Sequence, residues 1–342
     1  MKKIIFASLV AMVLISCGGG INVYVSGSND STAVYWKNGQ QNNLDNGGLA
    51  ANTSGIVIDS GVVYVSGTCN DATNNKACYW KDGTKTTLKV KSGDDWPTRG
   101  NGIYVANNKV YVAGYIAYMG AGPKATAAYW TDNTESCVEV SNPLAFSNAA
   151  TIFVDTGSIY VGGSENYFEY IGEEKATYWN NNSPVVVGDG AINSMYVSGG
   201  KVYTAGNIIL DETKTTAVCY IDNQKQTLEL PSDTTSSEAN GIYVSGTDVY
   251  VSGDYFTVAT AWTACYWKNG KRTDLLPTST SAEITYPGTS GIFVKNGDVY
   301  VSGSYQLPSY KTIACYWKNG IKTDLTFSVE NSYADTTGIF VE

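Results

Sequence analysis

Short apolar runs, each closed by glycine or a polar turn, recur along the chain in one fixed order. One phrase reads "GIxVxxxxVYVSG", then a variable stretch, then "ACYWKNGxxTxL", then another variable stretch. The glycine ending the "VYVSG" run stands at Gly27, Gly67, Gly114, Gly163, Gly206, Gly253 and Gly303. The residue after the repeated Tyr is Trp36, Trp80, Trp130, Trp179, Ile221, Trp267 and Trp317, in steps of 44, 50, 49, 42, 46 and 50 residues. Repeats at that period are the mark of solenoids and propellers.

Each unit predicts four strands, A to D. Strand A is the "GIxV" segment, B is "VYVSG", C is "ACYWK", and D carries "TxL". Asn-Gly or Asp-Gly between C and D is a strong hairpin signal, because both turn residues need positive φ. Four antiparallel strands per unit of 40–50 residues predict a β-propeller. The two ends complement each other. Val23 begins directly in a strand B, while 338–342 is a strand A with no unit after it. The C-terminal strand is therefore expected to join blade 1 and close a seven-bladed, all-β ring. An elongated solenoid, the alternative, gives no reason for complementary ends. The units run without a linker, so 23–342 reads as one propeller domain.

The segment before the first unit reads as an address. Lys2 and Lys3 precede an apolar run from Ile4 to Ile15, too short for a comfortable span. Leu14-Ile15-Ser16-Cys17 then resembles a bacterial lipobox, so 1–16 is expected to be a signal peptide and Cys17 a lipidated N-terminus. Gly18-Gly19-Gly20 follows within a 17–22 tether. A secretory signal that happens to contain a Cys is the alternative. An acylated Cys17 makes the membrane a partner and places the protein in the cell envelope, at the outer membrane or cell surface.

Composition narrows the chemistry. The net charge is −9, and the arginines are Arg99 and Arg272 alone. No basic cluster offsets that field, which argues against nucleic acid. Histidine is absent, which removes the commonest general base and metal ligand. No cofactor or metal is expected. The "SND", "NDATNN" and "DNG" clusters fit turn chemistry better than calcium loops, since no fixed ligand spacing accompanies them.

"ACYWKNGxxTDL" resembles the HAF-type repeats of exported bacterial proteins, where an aromatic-Trp pair precedes an Asn-Gly-like turn and a Leu. Those repeats carry a His before the aromatic pair, and this chain has none. The whole also resembles bacterial repeat lipoproteins with "VYVSG…YWKNG" units. The resemblance implies a surface-exposed propeller and supplies no catalytic residues.

In a propeller the A–B and C–D turns share one face, and here they are short and uniform. The B–C and D–A segments share the other face and differ in every blade. Recognition is expected there. The B–C segments hold Tyr115, Tyr118, Met119, Tyr167, Phe168, Tyr170, Tyr255, Phe256, Trp262, Tyr305 and Tyr310, while Trp96 and Tyr286 sit in D–A connections. Exposed rings of this kind stack on sugars or peptide side chains. They suggest a binding or protein-interaction module for glycan or peptide, with the rings around one concavity. The competing reading is that these segments merely extend the strands and pack together. Acids on the same face are Glu165, Glu169, Glu173, Asp211, Glu212 and Asp254, and a pair of them could serve a carbohydrate-active hydrolase or lyase. The repeated cysteines Cys78, Cys219, Cys265 and Cys315 read as buried packing residues, with Cys69 and Cys137 outside their register and unpaired. The tether enters strand B of blade 1 at the short-turn face, so the variable face should point away from the membrane.

Overall fold

The computed structural model describes residues 20–30, 32–90, 96–119, 123–132, 134–137, 146–166, 174–211, 214–275, 285–325 and 333–342. These form seven four-stranded antiparallel sheets, one per repeat. The inner strands A are Ala334–Val341 in blade 1, then Ala51–Asp59, Thr98–Ala106, Phe146–Asp155, Ala191–Ser198, Thr234–Ser245 and Thr285–Lys295 in blades 2 to 7. Ala334–Val341 pairs antiparallel with Val23–Asn29, so the last strand completes the first blade.

Burial explains the repeat. Strand B of blade 1 is buried from Val23 through Gly27, with Ser28 at intermediate exposure and Asn29 buried again, because blades pack on both of its faces. The tryptophan of strand C is buried in six blades, at Trp36, Trp80, Trp130, Trp179, Trp267 and Trp317. Its indole crosses to the preceding blade, where Trp130 Nε1 donates to Lys89 O at 2.9 Å and Trp267 Nε1 to Glu229 O at 2.7 Å. The glycine of "VYVSG" makes room for that ring. A Cβ on Gly253 would lie 2.8 Å from Trp267 Cζ3 and 2.0 Å from Glu238 O.

The Asn-Gly turn does more than reverse the chain. Asn269 (φ 51°) and Gly270 (φ 80°) are both left-handed, which Asn and Gly tolerate best. In all seven blades the first turn residue accepts, through its side-chain oxygen, the N–H that starts strand B of the same blade. The acceptors are Asn38, Asp82, Asp132, Asn181, Asp222, Asn269 and Asn319, at 2.8–3.0 Å. The short-turn face is thus pinned by one repeated bond. The Lys before the turn covers the Tyr of "VYVSG", as Lys268 does Tyr250 at 5.3 Å from the ring centroid. Asn22 is joined to Asn38 of the blade 1 turn, through Asn38 Nδ2 donating to Asn22 Oδ1 at 2.9 Å. The chain therefore enters the ring at the short-turn face.

One expectation needs correction. Cys69 and Cys78 form a disulfide, with Cα atoms 6.2 Å apart. Distances between blades exclude a bridge, but this one is diagonal within blade 2. Cys78 stands opposite Gly67, and Cys69 lies two residues further along strand B on the same face. Gly67, opposite Cys78, has no side chain to stand between the two sulfurs. Cys219, Cys265 and Cys315 are free and buried. Burial pushes the Cys219 thiol up to about 12 and the other two well above the ordinary value. Cys17 and the side chain of Cys137 lie outside what is described.

The B–C segments follow the second of the two readings given for them, strand extension. Much of their length is strand. Blade 6 pairs continuously to Thr257 opposite Ala261, leaving a tip of only 258–260.

Candidate functional site

The seven inner strands line a channel whose side chains form successive levels. In blade 2 the pattern is Ala51 buried, Asn52 exposed, Thr53 buried, with Ser54, Gly55 and Val57 partly exposed. Counting equivalent positions defines three rings.

At the short-turn end lies an aromatic collar. Tyr104, Phe153, Tyr196, Tyr243, Phe293 and Phe340 follow one another from blade to blade, with neighbouring centroids 4.6–5.1 Å apart. Val57 holds the seventh position. These are the "x" residues of "GIxV". The rings are tilted by 40–60°, the geometry that brings positive edges to negative faces. Burial raises the Tyr243 phenol to about 12.

The waist comes next, a cavity of about 200 Å³ bounded by all seven blades. Every inner strand bulges here; in blade 6, for example, the register shifts between Ala239 and Gly241. The bulged residue reaches the next blade. Asn101 Nδ2 donates to Ala149 O at 2.7 Å, Asn193 Nδ2 to Ala239 O at 3.1 Å and Asn240 Nδ2 to Thr289 O at 3.0 Å. Ser290 and Thr336 share a hydroxyl bond of 2.7 Å, and Thr337 and Thr53 one of 2.9 Å. Glycine follows the bulge because the strands nearly touch. A Cβ on Gly241 would come within 3.0 Å of Gly291 Cα.

The mouth opens at the variable face. Its ring is Asp335, Asn52, Arg99, Asn148, Ala191, Glu238 and Gly288 in blades 1 to 7. On the side of blades 6, 7 and 1 a cavity of about 440 Å³ is bounded by Glu238, Asn240, Asp254, Thr289, Ser290, Ser304, Asp335 and Thr336, with Gly288 and Gly303. Glu238 and Asp254 stand directly opposite in the blade 6 ladder, which puts their side chains on one face with Cβ atoms about 4.5–5.5 Å apart. Asp254 Oδ1 accepts from Thr289 N at 2.9 Å, so this carboxyl joins blade 6 to blade 7. Asp335 Oδ1 accepts from Ser304 Oγ at 2.7 Å and Thr336 N at 2.8 Å.

Burial drives the Asp254 carboxyl up to about 7, and the neighbouring Glu238 charge adds to the rise against the Thr289 and Asn240 bonds. The unfolded value is about 3.9. A raised carboxyl favours the folded state while protonated, and that contribution is lost as pH rises from about 4 through about 7. Its full size is on the order of 4 kcal/mol. Asp254→Asn keeps an oxygen for Thr289 N and removes the titration. Urea melts at pH 5 and pH 8 should show the variant gaining stability over the parent at pH 8. An unchanged pH dependence would refute this role of Asp254.

The predicted aromatic residues divide. Tyr255 and Tyr305 are only 3% and 6% exposed and are not accessible contacts. Each lies two residues beyond its "VYVSG" glycine, on the face that packs between blades, with Arg272 over Tyr255 at 4.8 Å and Lys322 over Tyr305 at 3.9 Å. Tyr115, Trp96, Phe256 and Trp262 are half-buried. Phe256 and Trp262 form a cross-strand pair near the blade 6 tip, 5.8 Å between centroids. Tyr310 is 72% exposed, and Tyr286 and Tyr333 are exposed as well. Tyr167, Phe168 and Tyr170, and the side chains of Tyr118 and Met119, lie outside what is described. Among the described residues no aromatic ring lines the mouth cavity.

Of the acids, Asp254 is in the mouth and Glu165 is fully buried in blade 4. Glu169, Glu173, Glu212 and the Asp211 side chain lie outside what is described. Glu238 and Asp335 were not anticipated, although each sits opposite the residue that follows "VSG". Among the described residues no group of three or more His, Cys, Asp or Glu side chains is arranged to hold a metal ion, and no helix is long and apolar enough to cross a membrane.

No family model matches the chain, and no curated protein matches it. Among solved structures it is similar to the β-propeller domain of the Trilobed protease from Pyrococcus furiosus, at 11% identity and TM-score 0.49 over 90% of this chain and 95% of that one. It is similar to YjhT at 13% identity and TM-score 0.45, over 80% and 96%. It is also similar to Trypanosoma rangeli sialidase in complex with the inhibitor DANA, at 11% identity and TM-score 0.47, over 89% and 56%. Values this low assign neither a family nor an activity.

Proposed function

We propose that this protein is a lipid-anchored binding module of the bacterial cell envelope that receives a glycan or peptide ligand at the channel mouth. The observation that carries the reading is the 440 Å³ cavity between blades 6, 7 and 1, where Glu238, Asp254 and Asp335 meet the side chains of Thr289, Ser290, Ser304 and Thr336. A concave site with a few convergent polar groups on a rigid scaffold is the usual form of a ligand pocket. Entry of the chain beside Asn38 suits the anchor. A lipid on Cys17 would tether the short-turn face and leave the mouth turned outward.

The test is an array of glycans and peptides probed with the soluble chain from residue 20 onward, in parent and Glu238→Gln forms. A ligand retained by the parent and lost by the variant, with equal melting temperatures, supports the reading. Equal retention by both removes the mouth from recognition.

One observation favours hydrolysis as a second reading. Asp254, pushed up to about 7 by burial, stands opposite a second carboxyl, Glu238, and paired carboxyls on one face can divide the work of acid and base. Turnover of a chromogenic glycoside, abolished by Asp254→Asn, would favour the hydrolase.

A further inference from the structure

We infer that the channel mouth takes a short peptide with free ends, its ammonium held by Glu238 and Asp335 and its carboxylate by Arg99. This rests on the binding reading above and names the ligand's chemistry.

The mouth ring is charged asymmetrically. Glu238 in blade 6 and Asp335 in blade 1 flank Gly288, whose lack of a side chain leaves the space between them open. Arg99 occupies the equivalent position in blade 3, three blades from Glu238 and two from Asp335. Asn52, Asn148 and Ala191 fill the remaining places. Arg99 and Asp335 share the exposed second place of their strands. One end of the ring is thus cationic and the other anionic.

That dipole suits a ligand carrying both charges at a distance. A neutral sugar would leave the guanidinium and the carboxylates without ionic partners. A lone cation would use only the acids. An extended tripeptide spans about 10 Å, and guanidinium pairs with carboxylate through two parallel bonds.

Behind Gly241, one buried hydroxyl has no partner, although it lines neither the mouth nor the waist cavity. Ser252 Oγ is fully buried and meets no hydrogen-bond partner. It sits opposite Gly241 at the waist, next to Asn240, which borders both cavities. Buried hydroxyls are ordinarily paired, and the equivalent serines of blades 1, 2 and 7 are, to Thr337, Asn101 and Ser290. The orphan lies in the blade that contributes Glu238 and Asp254.

Calorimetry with trialanine, N-acetyl-trialanine and trialanine amide tests the inference on the chain from residue 20 onward. Trialanine should bind, and capping either end should weaken binding tenfold or more. Arg99→Ala should bind trialanine and its amide equally, while Glu238→Gln should no longer distinguish trialanine from its acetylated form. Melting curves show whether each variant is folded. Should one fail to fold, the parent's response to capping decides alone. No heat with trialanine, or indifference to capping, overturns the inference. A neutral oligosaccharide retained on the array in a Glu238-dependent way would overturn it while leaving the binding reading intact.

Discussion

Deleting residues 334–342 is expected to leave no folded monomer. The deletion removes strand A of blade 1, and with it Ala334, Ile339 and Val341, all buried against Val25, Val34 and Trp36. Burying one Val or Ile side chain contributes about 1.5–3 kcal/mol. Losing three buried side chains and a full ladder is comparable with a whole domain's stability of about 5–15 kcal/mol. The edge of Val23–Asn29 would also be bared, inviting aggregation. Far-ultraviolet circular dichroism and size-exclusion chromatography should show an aggregated or unfolded chain. A rescue separates lost closure from general damage. Asn22 and Glu342 exchange both backbone bonds, at 2.9 and 3.1 Å. Moving 334–342 to precede Asn22 through a two-residue turn gives blade 1 the connection every other blade has. The relocated chain should fold. A soluble, cooperative truncated chain would argue against closure by this strand.

Trp267→Ala is expected to cost about 3–5 kcal/mol, as aromatic truncations in cores do. The indole is fully buried between blades 5 and 6, packed with Ala205, Cys219 and Val251. It also holds Glu229 O at 2.7 Å. Gly253 beside the ring has no side chain with which to fill the vacated space. Trp262, five residues earlier, is half-buried on the tip side of the same strand. Its replacement by alanine should cost clearly less. Urea melts of the two variants measure the difference, and equal losses would contradict the wedge role given to the repeated tryptophan.

The repeat made the architecture legible, because each blade must solve the same packing problem. "YWKNG" names the wedge, the cation over the tyrosine and the turn that pins strand B. The complementary ends gave closure. What escaped was geometry that crosses repeats or runs diagonally within one. Cys69 and Cys78 pair only because strand register sets them two places apart across Gly67. The unit pattern places Tyr255 and Tyr305 in B–C segments, but continued pairing turns them between blades. The mouth was hidden for a related reason. Glu238, Arg99 and Asp335 stand in different units, in segments that vary, and only the ring brings them to one level. The collar was present in every "GIxV" as the varying letter, and its meaning depends on seven such letters meeting around an axis.

On the proposal above, recognition lies at the channel mouth and not at the aromatic tips. Dissociation constants for whichever ligand the array retains, measured for Glu238→Gln and Trp262→Ala beside the parent, test this most directly. A loss of tenfold or more at Glu238 with little change at Trp262 is the predicted result. Loss at Trp262 with Glu238 indifferent would contradict it.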